Sequence, residues 1–400
     1  MARNRMPPTT GNDRVATQVL RLKRPKAPVR EPDLPIVQPT LPDLGELQAA
    51  LQQIWQTGTV TTGPITRNFE EAVKARTGVR RAVFVDHGNT ALMLAARALR
   101  LSGEVIVPSF TWTATAGALV WNGIEPVFAD VTPGRLTLDP EAAEAAITPR
   151  TTAIMPVNVF GVPADMDAFA ELCRRKGLKL LGDSAQGLGA FYKGRAQGTF
   201  GDAECFSLSP TKVVTALEGG LVTTNDDALA NVLISLRDSG KAPDGSDILE
   251  VGMSGRPSEI HAAVALASYE RVEELVGARQ ALMLWYRDLL ADMPGLSFQD
   301  IPADCETTGN YFVVFIDDAA GPVARDELYD LLKQKGIHGK KYFYPAVHLQ
   351  KAYAQLRGRY KGRLPVTERA ASQGLALPLY SHMTRADVER VCGAIRAAWR

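Results

Sequence analysis

Long hydrophobic runs, cysteine pairs and an excess of charge of either sign are all missing from this 400-residue chain. No apolar stretch approaches the roughly 20 residues that a membrane-spanning helix needs, so no membrane partner is expected. The four cysteines, Cys173, Cys205, Cys305 and Cys392, stand far apart and form no CxxC pair. Such spacing argues against a disulfide framework or a zinc site and reads as reduced structural thiols of a cytosolic protein. Basic residues number 45 and acidic residues 44, a net charge of +1. That balance leaves no electrostatic footprint for nucleic acid or an anionic membrane. Internal repeats are absent too. Residues 1–34 are rich in Arg, Lys and Pro and lack the apolar core of a signal peptide. They are expected to be a disordered extension of a cytoplasmic protein.

What is present is ample apolar material, 46% of the chain, enough for a sizeable core. Short apolar runs at Val79–Val85, Glu104–Val107, Glu125–Ala129 and Thr152–Val159 read as strands. Helical patterns occur at Leu41–Thr57, Asn68–Thr77, Ala91–Leu101 and from Pro140 and Asp165. Alternation of this kind implies a mostly parallel sheet with helices on both faces. Asp226–Ser239 is again helical, and Ser258-Glu259 can cap a long helix reaching about Leu290. Beyond Leu296 the pattern changes. Strand-like Tyr311–Ile316 and Lys340–Tyr344, with helices Ala324–Lys335 and Arg385–Trp399, suggest a compact α+β unit.

The stretch from Leu178 to Asn225 organises the rest. Leu178–Gly182 runs into Asp183, Ala203–Leu208 runs into a turn holding Lys212, and Gly220–Thr224 follows Glu-Gly-Gly. If these runs are buried strands, a carboxylate leaves the end of one and an amine leaves a turn after the next. Catalytic groups of open α/β sheets sit at strand ends of this kind. A lysine and an aspartate so disposed suit pyridoxal phosphate, which needs an amine to hold its aldehyde and an acid to keep its ring nitrogen protonated. Ser207 offers a hydroxyl for the phosphate. A glycine turn at Asp86-His87-Gly88-Asn89-Thr90 opens a helix, and the amides of such a turn can face an anion. The competing reading makes Asp183 a helix cap and Lys212 a surface lysine.

A resemblance bears on that choice. Asp183, Ala185 and Gln186 in D-x-A-Q, then Phe206, Ser207 and Lys212 in F-S-x-x-x-x-K, then Glu218–Gly220 resemble the DegT/DnrJ/EryC1/StrS sugar aminotransferases of fold-type I. Pro108–Trp112, Pro126–Asp130, Ile147–Thr151 and Phe160–Met166 continue the likeness in order.

The resemblance implies a large α/β domain over 35–265 with a seven-stranded, mostly parallel sheet. It also implies a linking helix and small α+β domain over 266–400, and a homodimer with shared active sites. It implies pyridoxal 5'-phosphate held by Lys212 as a Schiff base, with Asp183 on the ring nitrogen. Gly88, Asn89, Trp112, Gln186 and Ser207 would complete the cofactor site. Gly88-Asn89 stands where the family usually has Gly-Thr, and Trp112 matches an aromatic that stacks on the ring. Ser254 stands where the family usually has an asparagine that reaches the partner's phosphate. Tyr344 and His348 match a segment near the substrate. The implied reaction moves an amino group from L-glutamate, leaving 2-oxoglutarate, to a nucleotide-linked ketosugar. The segment 254–263 is more similar to the branch aminating C4 of a dTDP-4-keto-6-deoxyhexose. A C3 ketosugar or keto-inositol aminotransferase is the alternative; a non-catalytic sensor or binding protein of this fold is one of another class.

Overall fold

The computed structural model describes residues 32–400; the expected extension falls, up to residue 31, outside them. Seven strands form the main sheet: β1 (Arg81–Val85), β2 (Glu104–Pro108), β3 (Glu125–Ala129), β4 (Thr151–Ile154), β5 (Lys179–Asp183), β6 (Ala203–Ser207) and β7 (Gly220–Thr224). Their order is β1-β7-β6-β5-β4-β2-β3. The β3/β2/β4/β5/β6 pairings are parallel, while β7 runs antiparallel to both β6 and β1. Six strands therefore share one direction, and their carboxyl ends line one edge of the sheet. Ligands of open α/β sheets bind at that edge.

Burial on both faces explains why these strands read as near-continuous apolar runs. Successive side chains of a strand point to opposite faces. In β1, Val83 and Val85 enter one core, with Leu92, Ala95 and Leu233 from the covering helices. Ala82 and Phe84 enter another, with Phe69, Val73 and Tyr269. The crossover helices are Gly88–Ala98, Ala114–Trp121, Pro140–Ala145 and Met166–Lys176. The glycine turn thus sits at the carboxyl end of β1 and starts a helix.

The expected long helix is two helices, Glu259–Glu270 and Val272–Leu290, joined at Arg271 with φ −101° and ψ 14°. Ser258 caps the first, accepting a hydrogen bond from the His261 amide. A second sheet follows, with Phe312–Ile316 between Leu296–Phe298 and Gly374–Leu377. Tyr286 stacks on Phe312 at 4.8 Å, tying the Val272–Leu290 helix to it.

Lys340–Tyr344 is not the strand its aromatic residues suggested. Lys340 alone bridges to Ala376, after which the chain turns. Tyr342 and Phe343 are adjacent and both buried, a pattern that a two-residue alternation cannot produce. They pack instead into an aromatic cluster with Phe110, Phe160 and Tyr311.

Candidate active site

Asp183 is the last residue of β5 and is only 3% exposed. Parallel pairing sets it beside Cys205 of β6. Thr115 donates its hydroxyl to Oδ2 at 2.6 Å, the Ala185 amide donates to Oδ1 at 3.1 Å, and Thr111 lies 2.8 Å behind Thr115. Burial pushes the carboxyl above its usual range; the Thr115 and Ala185 bonds and the charge of Lys212 pull the other way. A carboxylate so withdrawn from water favours a cation brought against it.

The chain leaves β6 at Ser207 into a loop closed by Leu208, whose amide donates to Gly219 O at 2.9 Å and whose carbonyl accepts from Ala216 N at 2.8 Å. Val213, Val214 and Ala216 anchor this loop in the core. Lys212, half-buried, faces a cavity of about 480 Å³ that Asp183 also lines. That volume is within the range of small-molecule sites.

Gly88 and Asn89 line the same cavity at the first turn of their helix. The first amides of a helix have no intrahelical acceptor, and the dipole there is positive. Gly88 approaches β6 so closely that a methyl group on it would lie 2.8 Å from Ser207 Cβ. Amides and the Ser207 hydroxyl thus meet in a cradle only glycine permits, a donor set suited to a phosphate. Gln186 Oε1 is buried without a protein partner, and Gln186 too lines the cavity. Phosphate cradle, amine and buried acid together fit pyridoxal phosphate.

Another part of the lining is aromatic. Trp112, 52% exposed, meets the Tyr342 ring edge-on at 6.4 Å. Tyr342 contacts Tyr311 edge-on at 4.9 Å. Burial raises the Tyr311 hydroxyl above its ordinary pKa, while the charge of Lys212 opposes the shift. Lys340 completes this wall.

Residues 43–396 match the model of the DegT/DnrJ/EryC1/StrS aminotransferase family. The chain belongs to that family. It is 35% identical over 372 residues to GDP-perosamine synthase of Caulobacter vibrioides, covering 91% of this chain and 98% of the relative. It is 31% identical over 362 residues to dTDP-4-amino-4,6-dideoxy-D-glucose transaminase of Escherichia coli, covering 90% and 96%. Among solved structures, DesI in the presence of its TDP-sugar product superposes with a TM-score of 0.85 at 36% identity, covering 92% of this chain and 93% of that one.

In this aminotransferase, seven of the residues singled out from the sequence converge on one cavity: Gly88, Asn89, Trp112, Asp183, Gln186, Ser207 and Lys212. Three do not. Ser254 is exposed, bridged to Asp238, and outside the cavity lining. Tyr344 is 55% exposed, carries the Arg325 guanidinium 4.7 Å over its ring, and also lies outside the lining.

His348 requires a correction. Its side chain is 0% exposed, with Nδ1 2.7 Å from Ser109 Oγ and Nε2 3.3 Å from Glu368. Phe128 and Tyr360 flank the ring. Within this chain it is a buried support behind the Ser109 turn, and its ring is not open to a substrate. Sequence reasoning also missed Thr115, Tyr311, Lys340 and Tyr342. Thr115 lies 68 residues from the carboxylate it bonds, and no local pattern announces that contact.

Proposed function

We propose that this chain is a pyridoxal 5'-phosphate-dependent aminotransferase that moves an amino group from L-glutamate to C4 of a dTDP-4-keto-6-deoxyhexose. The observation carrying this reading is Lys212 and Asp183 facing one cavity beside the Gly88–Ser207 cradle. Support for the sugar comes from the Escherichia coli relative, whose name specifies a 4-amino-4,6-dideoxy sugar on dTDP. The Caulobacter relative is named for a GDP-linked product, so a GDP-linked ketosugar is the second substrate to assay.

The amides at Gly88 and Asn89 and the Ser207 hydroxyl would hold the phosphate. When bound, the cofactor supplies an aldehyde that carries the amino group and a ring that withdraws electrons. Asp183, as a carboxylate, would hold a proton on the ring nitrogen. Thr115 and the Ala185 amide fix both of its oxygens for that task. Trp112 shields the ring face from water. Lys212 Nζ is the covalent anchor. Its free amine would then serve as the base that takes a proton from the donor carbon and, in the second half, as the acid that delivers one to the carbon gaining nitrogen.

A homodimer completes the reading. Leu44, Trp55 and Trp121 are large apolar side chains left exposed in the single chain, which supports a partner covering part of this surface. Ser254, outside its own cavity, would then reach toward the partner's site. Incubation with L-glutamate and each nucleotide ketosugar, followed by product NMR, tests the reading. Nitrogen at C4 is expected; nitrogen at C3, or turnover only of a free keto-inositol, would overturn it.

A further inference from the structure

Lys340 and Lys341 are neighbours with opposite circumstances. Lys341 pairs with Asp326 at 2.8 Å. Among the described residues, no carboxylate pairs with Lys340. Its backbone is fixed by two hydrogen bonds to Ala376, at 3.0 and 2.8 Å. Its ammonium lies 4.8 Å from the Tyr342 ring centre and 5.3 Å from that of Trp112, on the wall of the cavity that holds Lys212. Lys340 is exposed, so the ring faces attract its ammonium while its hydrogen-bond donors stay open to water or to an incoming anion.

The other charges around this cavity are committed. Asp183 is held by Thr115 and the Ala185 amide. His87 stands between Asp86 at 3.7 Å and Glu218 at 3.9 Å. Lys212 is the amine reserved for the chemistry proposed above, on which this inference rests. Among the described residues that line the cavity, one unpaired cation therefore remains for a reactant. Both proposed reactants bring oxyanions: L-glutamate carries two carboxylates, and the nucleotide ketosugar carries a diphosphate. We infer that Lys340, steadied on Trp112 and Tyr342, is a substrate-binding residue that takes the oxyanion of a reactant and orients it relative to Lys212. A charge-assisted hydrogen bond of this kind is strong enough to set an apparent affinity.

The experiment uses the holoenzyme with Lys340→Met, which keeps an apolar stem over the two rings, and Lys340→Arg, which restores the charge. The cofactor absorbance change on adding L-glutamate alone gives the donor's half-saturating concentration. The reverse change, on adding nucleotide ketosugar to the aminated enzyme, gives the acceptor's. A carboxylate-free amine, 1-phenylethylamine, serves as control. Lys340→Met is expected to raise one of the two half-saturating concentrations by about 10- to 100-fold. Lys340→Arg should stay within about threefold of the wild type, and the control amine should be unaffected. A rise for glutamate assigns the carboxylate, and a rise for the sugar assigns the diphosphate. Changes below about twofold in both arms, or an equal loss with the control amine, would overturn the inference. A wild-type protein whose absorbance responds to no amine would instead overturn the aminotransfer reading and this inference with it.

Discussion

One wall of the cavity is made by strand ends and the other by a turning segment. Asp183 and Ser207 are terminal residues of β5 and β6, and Lys212 follows in a loop pinned at both ends. Lys340, Tyr342 and Phe343 belong to chain with a single bridge to a neighbouring strand. On the first wall, backbone ladders set position before any side chain is considered. On the second, aromatic packing around Phe110, Phe160 and Tyr311 does the same work. Substitutions should therefore act differently on the two. Losses on the strand-end wall should strike chemistry with little cost in stability, whereas losses behind the turning wall should strike stability first.

The largest effect is expected for Lys212→Ala. Turnover should fall by at least about 10⁴-fold, because both the anchor and the base are lost. The melting temperature should stay close to that of the wild type, since the loop is anchored by Val213, Val214 and Ala216. Asp183→Asn should come next, slowing turnover about 10²- to 10⁴-fold with the fold intact, because an amide cannot hold a proton on the ring nitrogen. Near-normal kcat in that variant would mean that the strand-end carboxylate is only structural.

His348→Ala probes behind the turning wall. Leaving Ser109 and Glu368 without the imidazole in a buried site should cost about 2–3 kcal/mol in denaturant unfolding. Below the transition, kcat/KM should stay within about threefold of the wild type. A raised KM with unchanged stability would restore His348 as a substrate contact.

Glu204, fully buried within β6 and outside the cavity lining, tests the electrostatics of the sheet beneath the strand-end wall. Burial pushes its carboxyl up to about 7 against the bonds from Ser184, Phe200 and Gly198. The folded protein thus keeps a proton that the unfolded chain releases near 4.5. The stability from this group is complete below about pH 4.5 and is lost as the pH rises through 7, up to about 3 kcal/mol. Glu204→Gln should flatten stability between pH 5 and 8; an unchanged pH profile would mean that Glu204 is not the group titrating. The smallest effect is expected for Ser254→Ala, with cofactor affinity changed less than about twofold and clearly less than by Ser207→Ala. The reverse order would move the weight of phosphate binding to the residue outside the cavity.

The two walls also differ in what the sequence could tell. Strand-end residues follow apolar runs whose burial on both faces makes them readable, so periodicity and turn chemistry marked Asp183, Ser207 and Lys212 as candidates, and the family resemblance favoured a site over a helix cap and a surface lysine. Gly88 was legible because a glycine turn opening a helix has a physical purpose. The turning wall gave a misleading signal: Lys-Tyr-Phe-Tyr alternates poorly, yet its aromatics imitate a strand. Only distant partners such as Phe110 and Phe160 decide its path. Thr115, Tyr311 and Lys340 went unread for the same reason, since each matters through contacts far away in sequence. His348 was drawn toward the substrate by its motif, but Ser109 and Glu368, 239 and 20 residues away, hold it inside.

Among the described residues two lysines line this cavity, one on each wall, and borohydride reduction of the pyridoxal phosphate-loaded protein followed by peptide mapping discriminates between them. The reduced cofactor is expected on Lys212 Nζ. Recovery of the label on Lys340, or on any other lysine, would contradict the assignment of the anchor to the strand-end wall.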